Sequence, residues 1–193
     1  MLDNLSNYSI FLASNSPRRR ELLFKLGLKF DVITVNGIDE SFPQELQGEE
    51  IPLYIADKKA EAYKSFVKDN YLIITADTVV VCDGEVLGKP KNREEAVSML
   101  KKLSGRTHSV MTGVCLLLSD RKITFATTTE VTFDVLGDDD IEFYIDNYRP
   151  YDKAGGYGIQ EWIGCIGVRE IKGSYFNVMG LPVQRLYREL QSI

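Results

Sequence analysis

Four short stretches hold residue types that could do chemistry. The first is Leu12–Leu23, LASNSPRRRELL. Ser16-Pro17 is a helix-start signal, a capping hydroxyl followed by proline at the first helical position. Three arginines, Arg18, Arg19 and Arg20, then fill a first turn where the helix dipole favours acids; each costs on the order of 0.3–1 kcal/mol if nothing compensates. Two readings fit: solvated arginines, or an anion site in which Ser14, Ser16 and the helix N–H groups join the forked donors of Arg18 and Arg19. The second stretch places Asp77 inside the apolar run YLIITADTVVVC, where a carboxylate is costly to bury alone. A cation or an activated water would account for it, and so would backbone hydrogen bonds at a strand end. Glu40, on a loop, is a second carboxylate candidate.

Lysines form the third set. Lys59 lies in the helical segment DKKA, and Lys89 sits in a Gly-Lys-Pro corner whose proline restricts its backbone. Solvation explains most helix-surface lysines. Cations converging with carboxylates would suit a metal–polyphosphate site. The fourth stretch, DKAGGYGIQ (152–160), has three glycines in four residues, which lets backbone approach a ligand. Gln160 could read a base edge there, or be an exposed glutamine on a bulged strand.

The 193 residues suit one domain, or one two-lobed domain, with a real core. A net charge of −5 argues against a general nucleic-acid or anionic-membrane surface, so the arginine cluster suits a small anion better than a polymer. Three cysteines without a CxxC pair, no signal-like start and no membrane-length apolar run predict a cytoplasmic protein. The single histidine, His108, excludes multi-histidine zinc sites and is expected to make a structural hydrogen bond. Any metal must be held mainly by oxygen, which favours magnesium or manganese.

Periodicity predicts the elements that must position these residues. Strands are expected at Ser9–Ala13, Phe30–Val35, Tyr71–Cys82, Val86-Leu87, His108–Leu118 and Ile123–Val135. Glycine-rich strands are expected around Gly155–Val168. Helices are expected at Ser16–Leu26, Pro52–Lys68, Arg93–Leu103 with a capping box from Asn92 to Glu95, Asp138–Asn147 and Val183–Leu190. Asp138-Asp139-Asp140 opens its helix with the charge the dipole prefers, the reverse of Arg18–Arg20. The pattern predicts an α/β fold with a mixed sheet.

Taken in order, these segments resemble the septum-formation-associated Maf family of nucleoside triphosphate pyrophosphatases. The resemblance runs from Leu12 to Pro182 through LASNSPRRRELL, the Ile38-Asp39-Glu40 loop, KKA at 58–60, ADTVV at 76–80 and GKP at 88–90. It continues with LSGRTHSVMTG at 103–113, DKAGGYGIQ at 152–160 and GSYFNVMGLP at 173–182. It implies one domain over residues 1–193, a mixed central sheet in two lobes around a cleft, and a homodimer. It also implies hydrolysis of a nucleoside triphosphate to the monophosphate and pyrophosphate with a divalent metal. By position, Asp77 matches the family's proton acceptor, and Ser14, Arg18, Arg19, Glu40, Lys59 and Lys89 match its polar site. Asp77 and Glu40 are the implied metal ligands. Arg18, Thr78 and Gln160 resemble the branch acting on dTTP and UTP; the Gln160 amide can pair with O4 and N3–H of uracil or thymine, although its freedom to rotate leaves cytosine open. The competing expectation is a nucleotide-binding protein without catalysis that influences cell division.

Overall fold

In a computed structural model, residues 2–35, 37–68 and 70–193 are described. Seven strands form one mixed sheet: β1 (Ser9–Ala13), β2 (Asp31–Ile33), β3 (Tyr71–Cys82), β4 (Glu85–Leu87), β5 (Thr107–Leu118), β6 (Lys122–Phe133) and β7 (Val168–Lys172). Their order is β2-β1-β3-β5-β6-β7, with β4 paired to β3. β1 runs parallel to both β2 and β3, in register Leu12↔Val32 and Leu12↔Ile74, whereas β3–β4 and β6–β7 are antiparallel. Parallel neighbours need helical crossovers, which α1 (Pro17–Phe24) and α2 (Glu50–Tyr63) supply. The remaining helices are α3 (Arg93–Leu103), α4 (Asp138–Tyr148), α5 (Trp162–Gly167), α6 (Tyr175–Val178) and α7 (Val183–Gln191). The expected mixed α/β class is the one observed.

The chain divides into two compact units. The first comprises residues 1–77, 112–127 and 180–193, and the second 78–111 and 128–179. In the first, Ala56, Ala60 and Tyr63 of α2 bury against Ala13, Tyr71, Ile73, Cys115 and Leu117. The alanines let the helix lie close to the sheet, and Gly113 of β5 lets it lie closer still. A Cβ at Gly113 would fall onto the Pro52–Leu53 backbone, closer than any van der Waals contact. Gly113→Ala is therefore expected to cost about 3 kcal/mol or more, read as a lowered midpoint in chemical denaturation.

In the second unit, Ala96, Leu100 and Leu103 of α3 and Ile141, Tyr144 and Ile145 of α4 supply buried side chains. His108 packs edge-on against Phe133 and Tyr157, and its Nε2 lies 2.7 Å from the Tyr157 hydroxyl. Burial pulls its pKa down to about 4, so it is a neutral structural residue, as expected.

Three expectations need correction. The second helix begins at Glu50 and ends at Tyr63 rather than spanning Pro52–Lys68, because proline is tolerated in a first turn and the chain tightens to a 3-10 turn at Lys64–Phe66. Asn92 accepts from Glu95 N–H at 2.8 Å, but the Glu95 carboxylate returns to Lys91 N–H at 2.9 Å, so the reciprocal half of the box is displaced by one residue. Residues 155–167 are not strand, and β7 begins only at Val168. Gly155 and Gly156 both have φ of +71°, a left-handed conformation incompatible with a strand, and the chain forms a turn and then α5.

Candidate active site

The expected site residues of the first unit are delivered by β1, α1, α2, β3 and the loop around residue 40. Ser14 and Asp77 are each only 8% exposed, the first just past the end of β1 and the second in the middle of β3. Ser14 Oγ accepts the Ser16 N–H at 3.2 Å, and Ser16 Oγ accepts the Arg19 N–H at 3.4 Å. The cap is thus the predicted one, and part of the helix start is satisfied by it.

Arg19 is held more firmly than its place in a solvated first turn would require. Its Nε donates to the Gly180 carbonyl at 2.8 Å and its Nη1 to the Ala76 carbonyl at 2.7 Å. Burial pushes this guanidinium below its ordinary pKa, and the nearby Asp77 carboxylate pushes it back up. α1 is therefore bracketed to the residue immediately preceding Asp77. Arg18 is half-buried, whereas Arg20 is exposed.

Asp77 meets α2 through Lys59. The Lys59 ammonium lies 2.7 Å from Asp77 Oδ1 and 2.8 Å from Glu40 Oε1. The side chains of Lys59 and Asp77 are each 12% exposed and that of Glu40 44%, so the pairing is buried on the Asp77 side and open on the Glu40 side. The neighbouring Lys58 reaches Asp39 Oδ2 at 2.8 Å. Two successive lysines thus hold two successive acids of the loop. Lys58 and the Ser41 hydroxyl and N–H keep the Asp39 carboxyl well below the usual carboxylate range.

The reach of Lys59 depends on where α2 sits along β3. The Thr75 hydroxyl, fully buried, donates to the Ala56 carbonyl at 2.7 Å. Thr75 and Asp77 share one strand face, and Lys59 is three residues beyond Ala56, so a single side-chain bond indexes helix to strand. Sequence reasoning missed Thr75 and Gly180. A threonine two residues before Asp77 in an apolar run was an available signal for the first; the second had none, because only its carbonyl is used.

The other three expected residues belong to the second unit. Thr78 is half-buried and follows Asp77 on β3, with its side chain on the opposite strand face. Lys89 is exposed just after β4, where the Gly88 carbonyl accepts the Gly155 N–H at 3.0 Å. Gln160 is exposed in the turn before α5 and is not on a bulged strand.

Asp77 and Glu40 offer oxygen donors to one positive centre, the Lys59 ammonium. That chemistry fits a hard divalent cation bound through one or two carboxylates plus substrate phosphates. Among the described residues no group of three or more histidine, cysteine or acidic side chains could hold a metal. The fit therefore depends on ligands beyond the protein, which is the usual circumstance of magnesium. No helix of the described residues is long and apolar enough to cross a membrane.

Sequence comparison gives a family to this mixed α/β chain, in which a lysine is held between two carboxylates beside a bracketed arginine. Residues 9–193 match the model of the Maf-like proteins, and the chain belongs to that family. A Phocaeicola vulgatus protein named dTTP/UTP pyrophosphatase is 60% identical over 193 residues, covering 100% of each chain. One of the same name from Parabacteroides distasonis is 57% identical over 191 residues, covering 99% of each. The fold is also similar to that of a HAM1 protein from Coxiella burnetii, at a TM-score of 0.51 and 15% identity over 96% of this chain and 100% of the other.

Proposed function

We propose that this protein, as one domain over residues 1–193, hydrolyses dTTP and UTP to the monophosphate and pyrophosphate with a divalent cation, magnesium or manganese. The observation that carries the reading is Lys59 joining Asp77 and Glu40 through one ammonium. The names borne by relatives at 60% and 57% identity over essentially the whole chain support the substrates. A cytoplasmic homodimer with a housecleaning role in nucleotide pools, acting on neither nucleic-acid polymers nor membranes, completes the proposal.

In this reaction Asp77 orients a water for attack on the α-phosphorus and takes its proton. Arg18, Arg19 and Lys59 neutralise charge on the departing pyrophosphate, and Ser14 contributes a hydroxyl to the phosphates. Lys89 keeps its phosphate-binding role, and Thr78 and Gln160 keep theirs toward the base. A bound divalent cation, held by Asp77 and Glu40, would withdraw charge from the phosphate oxygens.

The test is a panel of dTTP, UTP, CTP and GTP with magnesium or manganese, with products identified. Release of pyrophosphate from dTTP and UTP at least about tenfold faster than from GTP is expected. Nucleotide binding without pyrophosphate release from any of the four would favour the non-catalytic reading. In that case a cell-division phenotype would persist in a variant lacking the Asp77 carboxylate.

A further inference from the structure

The loop that carries Glu40 is fastened to the helix that carries Lys59, by groups with no part in the proposed chemistry. One ammonium holds the residues on both sides of Glu40: Lys58 Nζ donates to Asp39 Oδ2 at 2.8 Å and to the Ser41 carbonyl at 3.3 Å. Asp39 closes the same span from within. Its Oδ1 accepts the Ser41 N–H at 2.9 Å and its Oδ2 the Ser41 hydroxyl at 2.6 Å. A second anchor lies at the C-terminal end of α2, where the hydroxyl of Tyr63, a residue 4% exposed, accepts the Val35 N–H at 3.0 Å. Val35 and Ile38 also pack against the cluster that holds Ala56, Ala60 and Tyr63. Helix α2 therefore sets the place of the Lys59 ammonium and, through Lys58 and Tyr63, the place of the acid that meets it.

The Lys58–Asp39 pair is open to water, at 33% and 66% side-chain exposure, and a pair of that kind adds little to the stability of a fold. Its effect is local. A glutamate on a free loop loses backbone freedom when it ligates a cation, and a loop already held has less to lose. The Tyr63 bond is the more shielded of the two, and deleting its hydroxyl leaves the Val35 N–H without its acceptor.

We propose that Lys58, Asp39, Ser41 and Tyr63 are positioning residues that hold Glu40 where it ligates the divalent cation, and thereby set the cation concentration the protein needs. The inference rests on Glu40 serving the cation in the proposed hydrolysis. It assigns part of the cation affinity to a clasp that touches neither the cation nor the nucleotide.

The experiment compares the parent with Glu40→Gln, Lys58→Met, Lys58→Arg, Tyr63→Phe and the Lys58→Met/Tyr63→Phe double variant. One readout is the manganese concentration giving half the maximal rise in thermal midpoint with the α,β-methylene analogue of UTP present. The other is the manganese concentration giving half-maximal UTP hydrolysis, with kcat at saturating manganese. Glu40→Gln should raise both concentrations by at least about tenfold. Lys58→Met should raise them about threefold and the double variant about tenfold, with kcat within about threefold of the parent, whereas Lys58→Arg keeps the parental values. A fold that is merely less stable lowers the midpoint without manganese and leaves these concentrations in place. Lys58→Met alters an exposed side chain, which keeps the test open if the double variant misfolds. Should Lys58→Met and Tyr63→Phe both keep the parental requirement while Glu40→Gln raises it, the inference is overturned and Glu40 stands as a ligand. A parental requirement in Glu40→Gln removes Glu40 from the cation site and the clasp's role with it. Failure of the parent to hydrolyse UTP removes the proposed function itself.

Discussion

Asp77→Asn is expected to lower turnover of UTP by on the order of 10²–10⁴-fold while the protein still folds. The amide has the shape of the carboxylate and can still accept a hydrogen bond from Lys59, but it cannot take a proton from water and is a poor ligand for a hard cation. The fold should survive because the neighbouring anchors do not use this side chain. Arg19 holds the Ala76 carbonyl, and Thr75 holds the Ala56 carbonyl. The measurements are pyrophosphate release under saturating UTP and a cooperative thermal transition on the same preparation. Turnover within threefold of the parent would remove Asp77 from the chemistry.

Lys59→Met should produce the next largest effect, and on two properties at once. Methionine preserves most of the stem that crosses from α2 to β3 but deletes the charge between Asp77 and Glu40. Loss of a cation facing the departing pyrophosphate is expected to reduce kcat by about 10²–10³-fold. It also leaves the shielded Asp77 without its ammonium, a loss of about 3 kcal/mol for a well-buried pair, softened here because Glu40 is 44% exposed and can turn to water. Added magnesium or manganese should then raise the thermal midpoint of the variant more than that of the parent, since a cation can take the place the ammonium held. Equal shifts in the two proteins would show that the carboxylates do not form a cation site.

The three arginines illustrate how far a local rule reaches. Their placement in a first turn is anomalous by charge alone, and the anomaly is real for Arg19. The compensation, however, includes two backbone carbonyls, one on Gly180 more than 150 residues away in sequence. A carbonyl has no residue-type signature, so no motif can announce it. Arg20, exposed on the same turn, carries no such bond among those described. The glycine-rich stretch teaches the complementary lesson. Glycines interspersed with apolar residues read as strand, yet left-handed φ at Gly155 and Gly156 sends the chain into a turn, where an added Cβ would press on Val80 at the first and approach Pro90 and Met99 at the second, residues far off in sequence.

The sequence by itself determined the mixed α/β class, the strands Ser9–Ala13 and Tyr71–Cys82, the helix Arg93–Leu103 and the Ser16 cap, because hydrophobic period and capping chemistry act over a few residues. It also marked Asp77, Glu40 and Lys59 as residue types suited to one chemistry, and the family resemblance implied one shared site for them without giving their contacts. Only the tertiary structure decided that Lys59 stands between the two carboxylates, that Thr75 indexes α2 to β3, and that Lys58 and Tyr63 fasten the loop bearing Glu40 to α2. Those contacts depend on the register and separation of packed elements, set by alanines and a glycine that let a helix approach a sheet, and packing distance is not written in any local run of residues.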